Sequence, residues 1–350
     1  MARSDYGGQA LLEGVLMRGR GAIGIALRHP DGSIVATSEP LNSVLHRSRF
    51  ARAPFFRGLV VLYETLVVGT RWLMRSGSVQ AQGEGQELGR GAMALTLLFT
   101  LALAIGLFVL LPLFLGAAAT RAAIGPGQFL LEHLVEGVVR VFIFVGYLLV
   151  ISRSSEIRRV FQYHGAEHMT IHALEHEDPL DLDHIRQYPT AHQRCGTEFL
   201  VIFIILSILM FSLLAGQNLV VSIVGRIALV PVIASVAYEL LRFGARHRHR
   251  WWIRWLYLPG IWLQSITTKQ PDDSMIEVAI ASMREALTAN NDPAPEGSTD
   301  PERRPIPSSA GAQEAADSTE GTRAAMAGLA PATHAGGPDA PPQEGSKPLP

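Results

Sequence analysis

Gly91 to Ala119 reads GAMALTLLFTLALAIGLFVLLPLFLGAAA, 29 consecutive residues without a charge. About 20 apolar residues are enough for a helix to cross the hydrocarbon core of a bilayer, so this run alone predicts a membrane protein. Leu134 to Ile151 is a second candidate span, in which Glu136 and Arg140 stand four apart on one helix face and neutralise each other near one end. Phe199 to Gly216 and Leu219 to Leu241 follow around a tight Ala-Gly-Gln-Asn and read as a helical hairpin. The expected fold is mainly α and polytopic, with four spans at 91–119, 134–151, 199–216 and 219–241, a small N-terminal β unit and a disordered C-terminal tail.

Composition agrees. The 350 residues are 48% hydrophobic and only 17% charged, where soluble domains are nearer a quarter charged. The stretch 288–350 is different material: it holds eleven of the 21 prolines and almost no large apolar side chain, and reads as disordered. A net charge of −1 is too mild to signal nucleic acid. Nearly all the basic residues are arginines, able to fork onto carboxylates or lipid phosphates, so the expected partners are membrane lipids. One cysteine, Cys195, rules out an intrachain disulfide. MARSDYGGQALLEG lacks the basic-then-apolar pattern of a secretory signal.

Arginine sets the expected orientation. Basic residues cluster before the first span, between the second and third, and after the fourth, which places all three regions and both termini on the cytoplasmic side of the membrane. Residues 54–76, PFFRGLVVLYETLVVGTRWLMRS, carry Glu64 mid-run and basic residues at both ends, and are expected as an interfacial helix rather than a fifth span. In 1–53, AIGIALR and SIVATSE are short strands joined by His29-Pro30-Asp31-Gly32. Residues 242–287 begin with a basic-aromatic segment suited to headgroups and end in an amphipathic helix started by Pro271-Asp272-Asp273-Ser274.

Chemistry concentrates in the loop 152–198, which holds six of the twelve histidines and the only cysteine. His164-Gly165-Ala166-Glu167-His168 is an H-x-x-E-H string, the reverse of the zinc-protease helix motif. Four-residue spacing stacks two imidazoles on one face to share a metal, with Glu167 beside them as general base. At about 100° per residue His164, His168 and Glu175 share a face, but Glu175 lies roughly 10 Å beyond His168 along the axis. It is better suited, with Arg194, to support a ligand or meet a substrate. The remaining ligands are expected from His192 and Cys195 in His192-Gln193-Arg194-Cys195. With His192 alone a fourth position stays open for water, the catalytic arrangement; with Cys195 added the site closes, the structural one.

An i, i+4 histidine pair also marks an ordinary polar helix face; coincidence with His192 and Cys195 in one loop is what points to a metal. His172 and His176 extend the ladder toward solvent. His247 and His249 alternate with arginines and read as lipid-facing charge. Tyr6-Gly7-Gly8-Gln9 permits close backbone approach but has no phosphate-loop spacing.

YGGQALLEGVLMRG, ALRHPDGSI, YHGAEHMTIHALE, HQRCGTEFL, Ala237-Tyr238-Glu239, PGIWLQSITTKQPDD and EVAIAS together resemble the YqhQ-like family of bacterial membrane proteins, a domain of unknown function described as a predicted metal-dependent enzyme. The resemblance runs from Tyr6 to Leu287. It implies an integral membrane protein with a metal site at His164, Glu167, His168, Glu175, His192 and Cys195. Met169 and Gln193 stand where the family pattern has Lys and Pro, and neither departure removes a ligand.

The expectation is therefore a divalent transition metal, zinc first, held by His164, His168, His192 and Cys195, with Glu167 catalytic in a hydrolase at the cytoplasmic membrane face. Two other readings are a non-enzymatic metal-binding scaffold or assembly factor, and a transporter, for which Glu136, Arg140, Arg226 and Glu239 are the polar residues within spans.

Overall fold

Four antiparallel strands open the chain: β1 (Gly7–Leu11), β2 (Gly14–Arg18), β3 (Ala22–Arg28) and β4 (Ile34–Pro40). The computed structural model describes residues 6–41, 53–83, 90–123, 129–192, 195–214, 216–247 and 250–306. The β3–β4 turn uses the expected residues: Gly32 adopts φ +86°, and the Ser33 amide donates to Asp31 Oδ1 at 2.9 Å. The first hairpin was not expected, because glycines interrupt its alternation. It closes with Leu11 opposite Gly14 and Glu13 at φ 52°; the Glu13 carboxylate accepts both Arg159 Nε and Nη2 at 2.5 Å, tying the turn to the helix that carries the histidines.

Arg303–Pro305 forms β5, parallel to β4. The expected disordered tail therefore has an ordered start: strand pairing at a sheet edge rests on backbone groups, which composition does not reveal. The segment is pinned by Arg303 on Glu285 at 2.8 Å. Residues 307–350 lie outside the described residues.

Among the described residues, ten α-helices follow the first four strands. They are α1 (Phe56–Gly83), α2 (Arg90–Ile105), α3 (Leu111–Ala123), α4 (Phe129–Ile151), α5 (Ser155–His176), α6 (Leu182–Ile185), α7 (Gly196–Ser212), α8 (Leu219–Arg246), α9 (Trp251–Thr267) and α10 (Asp273–Ala289), with a π-helical turn at Gly106–Leu110 joining α2 to α3. Among the described residues, three stretches are long and apolar enough to cross a membrane: Ala94–Ala123, Leu131–Ile151 and Val220–Gly244. Their outward faces expose large apolar side chains such as Phe99, Phe142 and Val220, and the chain is membrane-associated. The fourth apolar helix, Gly196–Ser212, has 17 residues and is shorter than the expected span.

Within the bundle, Glu136 of α4 accepts a fork from Arg226 of α8 at 2.6 and 2.7 Å and a further bond from Arg140. The pairing of Glu136 with Arg140 is as expected from their spacing; Arg226 joins only through tertiary packing. Arg140 Nε also donates to the Phe108 carbonyl at 3.1 Å, inside the π turn, where the irregular ladder frees a backbone acceptor.

Helix α1 joins bundle to sheet. Its start pairs Arg57 with Glu239 of α8 and lays Gly58 against Tyr238. Further on, Glu64 meets Arg18 of β2 at 3.0 Å and Gln80 Nε2 donates to the Arg28 carbonyl at 2.8 Å. Tyr63 and Leu66 stay exposed, leaving an apolar outer face.

The expected amphipathic helix is α10, capped by Asp272 accepting from the Met275 amide at 3.1 Å. Its periodic apolar residues do not face lipid; they bury Met275, Ile276, Ala279, Ile280, Met283 and Leu287 against the sheet and α5. Gly24 of β3 allows the approach, since a Cβ there would come 2.2 Å from the Ala286 nitrogen. This core fixes α5, and with it the histidines.

Candidate metal centre

Helix α5 places His164, Glu167 and His168 along one side, with His168 1% exposed. Gly165 lies on the neighbouring face. A Cβ there would stand 2.2 Å from the Lys269 carbonyl oxygen, so the glycine lets the chain leaving α9 cross against α5, locked by the Lys269 amide on the Phe161 carbonyl at 2.9 Å. The crossing brings the Thr267 carbonyl 2.9 Å from His164 Nδ1, and the loop before α7 brings the Thr190 carbonyl 2.6 Å from His168 Nδ1. A carbonyl only accepts, so both Nδ1 atoms carry hydrogen and both Nε2 atoms present lone pairs.

Those lone pairs meet a thiol. Cys195 caps the N-terminus of α7, its Sγ accepting from the Thr197 amide at 3.4 Å and lying 3.2 Å from His164 Nε2. One donor atom from each of His164, His168 and Cys195 lies within 4.8 Å of the other two. Two imidazoles oriented by backbone carbonyls plus one thiol are a donor set suited to a borderline-soft divalent cation, with room for a fourth ligand. Burial holds His168 well below the usual imidazole range, which keeps the neutral, ligating form. Burial also pushes the Cys195 thiol up, against the Thr197 contacts that favour thiolate.

Glu167 borders this group, its Oε2 4.0 Å from His164 Nε2. It is 4% exposed, and burial raises its carboxyl to about 8 against the pull of His164 and the Gly8 amide bond. Gly8 of β1 is packed so closely that a Cβ would sit 2.7 Å from Glu167 Cγ. The small residues at the N-terminus thus serve the carboxylate, a role their sequence did not disclose.

Two expected residues stand elsewhere. His192 lines the same cavity but is not in the donor group: its Nε2 is 3.5 Å from Glu175 Oε1, its ring centroid is 4.4 Å from that of His172, and its backbone is clamped by Gln264 through bonds of 2.8 and 2.9 Å. Glu175, too far along the helix for the His164/His168 pair, supports His192 instead. Arg194 lies outside the described residues. Glu198, unremarked in sequence, is 2% exposed one turn into α7, and neither carboxylate oxygen has a hydrogen-bond partner among the described residues.

A cavity of about 410 Å³ opens onto the group. Strand β1, helix α1 and helix α5 wall it, with Arg18 and Gln9 among the polar linings. The family model described as "Protein of unknown function (DUF1385)" matches residues 53–289. The chain belongs to the DUF1385 family. It is 32% identical over 298 residues to "Uncharacterized protein YqhQ" of Bacillus subtilis (strain 168), covering 81% of this chain and 92% of that protein. No solved structure matches. The DUF1385 match includes α5, the Cys195 cap and α10, while β1 and Gly8 precede it.

Proposed function

We propose that this DUF1385 protein is a zinc-type metal-dependent hydrolase of the bacterial inner membrane, its site at the cytoplasmic face, with four spans and both termini inside. The observation that carries the reading is convergence of His164, His168 and Cys195 within 4.8 Å, beside a buried carboxyl and a cavity large enough for a small substrate. His164, His168 and Cys195 would hold the ion. A bound zinc ion supplies Lewis acidity and lowers the pKa of its water.

The chain's own groups do the rest. The Thr267 and Thr190 carbonyls keep both imidazoles in the ligating tautomer. Glu167, oriented by the Gly8 amide, exchanges a proton at its carboxylate oxygens with whatever reacts in the cavity.

The test is metal content and hydrolytic activity of purified wild type, His168→Ala and Glu167→Gln. Metal lost in His168→Ala, and metal kept with activity lost in Glu167→Gln, is the expected pattern; equal metal in wild type and His168→Ala sinks the site. A buried thiol joining α7 to α5 favours a second reading, a metal-clamped scaffold without catalysis. That reading requires full biological function in Glu167→Gln.

A further inference from the structure

At the other end of α4 from the histidines, a second cavity of about 360 Å³ lies among α3, the start of α4 and the start of α8. Its polar lining is Arg121, Glu132, His133, Gln217, Ser222 and Arg226. Arg226 is 2% exposed. Two of its nitrogens are spent on Glu136, but Nε is buried and has no hydrogen-bond partner among the described residues. An unmade bond on a buried guanidinium is costly, so a partner there is strongly favoured.

Charge points the same way. The buried Arg140 and Arg226 share one buried carboxylate, Glu136, while Arg121 and Glu132 stand more exposed on the cavity wall, and His133 Nδ1 contacts Glu136 Oε2 at 3.2 Å. The Phe211 ring compensates in part, lying 5.2 and 5.3 Å from the two guanidinium carbons. Uncompensated charge in so apolar a setting is rare and marks a ligand site by default. Leu113 and Phe114 form an apolar wall beside the basic groups.

We propose that this cavity binds a phosphate-class anion, with Arg226 and Arg121 as its cationic contacts. The anion is either an anionic phospholipid headgroup, whose chains would lie along Leu113 and Phe114, or free phosphate. The proposal is independent of the metal centre.

The experiment uses full-length, delipidated protein in neutral detergent, with thermal unfolding and native mass spectrometry as readouts. The probes are inorganic phosphate, and phosphatidylglycerol against phosphatidylcholine. Arg226→Gln disturbs the Glu136 cluster and can fail to fold, so the discriminating variant is Arg121→Gln, an exposed residue outside that cluster. Loss of one charge-assisted contact should weaken binding about tenfold or more, while Arg153→Gln, at the far end of α4, should leave it unchanged. Retention of phosphatidylglycerol alone assigns a lipid headgroup; a response to inorganic phosphate assigns the free anion. No response to either probe, or equal binding by wild type and Arg121→Gln, overturns the proposal.

Discussion

Two buried polar clusters among the described residues handle polarity in opposite ways. In the bundle, Glu136 is consumed by Arg140 and Arg226, which ties α4 to α8 and leaves the buried Arg226 Nε without a hydrogen-bond partner among the described residues. At the candidate metal centre the imidazoles are satisfied from outside, by the Thr190 and Thr267 carbonyls, and their inner nitrogens are turned toward Cys195. A cluster whose carboxylate is consumed by its own cations is a joint. One satisfied from behind keeps its reactive atoms free, as a ligand site requires.

The sharpest way to break this contrast is Glu136→Gln. Two guanidiniums would lose their carboxylate, and a cost of about 3–5 kcal/mol is expected, read as unfolding midpoint in detergent. Stability unchanged would mean that the cluster is not a joint.

Next comes a pH effect confined to the other cluster. Burial raises Glu167 from 4.5 to about 8, so the metal-free folded state holds a proton that the unfolded chain releases. The stability this gives is fully present below about 4.5 and lost as pH rises toward 8, by at most about 1.4 kcal/mol per pH unit. Glu167→Gln should flatten the profile; an unchanged slope would place its origin elsewhere.

Gly165→Ala, with its Cβ 2.2 Å from the Lys269 carbonyl, should cost about 1–3 kcal/mol by overpacking. It should also weaken metal binding, because the Thr267 carbonyl moves with that chain; a variant that loses stability but binds metal as before separates the crossing from the tautomer. The smallest effect is expected from His192→Ala. Its imidazole meets Glu175 rather than the donor group, so metal content should stay within about twofold while Cys195→Ser loses metal tenfold or more. Equal loss in both would return His192 to the ligand set.

Much of this was legible in order along the chain. The apolar run at 91–119, the Asp272 cap, the periodic face of α10 and the i, i+4 histidines are local patterns, and local patterns survive folding. The β1–β2 hairpin was hidden because Gly7, Gly8 and Gly14 erase alternation. The ordered start of the tail was hidden because Arg303–Pro305 pairs through its backbone. Arg226 joining Glu136 requires two helices some 90 residues apart to meet.

By itself the sequence determined that the chain associates with a membrane, and it gathered the candidate metal ligands between His164 and Cys195. Hydrophobicity and helical spacing are properties of neighbouring residues, and those suffice for both conclusions. Only the tertiary structure decided that Cys195 comes within 4.8 Å of donor atoms of His164 and His168, that Gly8 seats Glu167, and that distant carbonyls set the tautomers. Each of these depends on where one backbone passes another, a distance of a few ångströms that sequence separation does not encode.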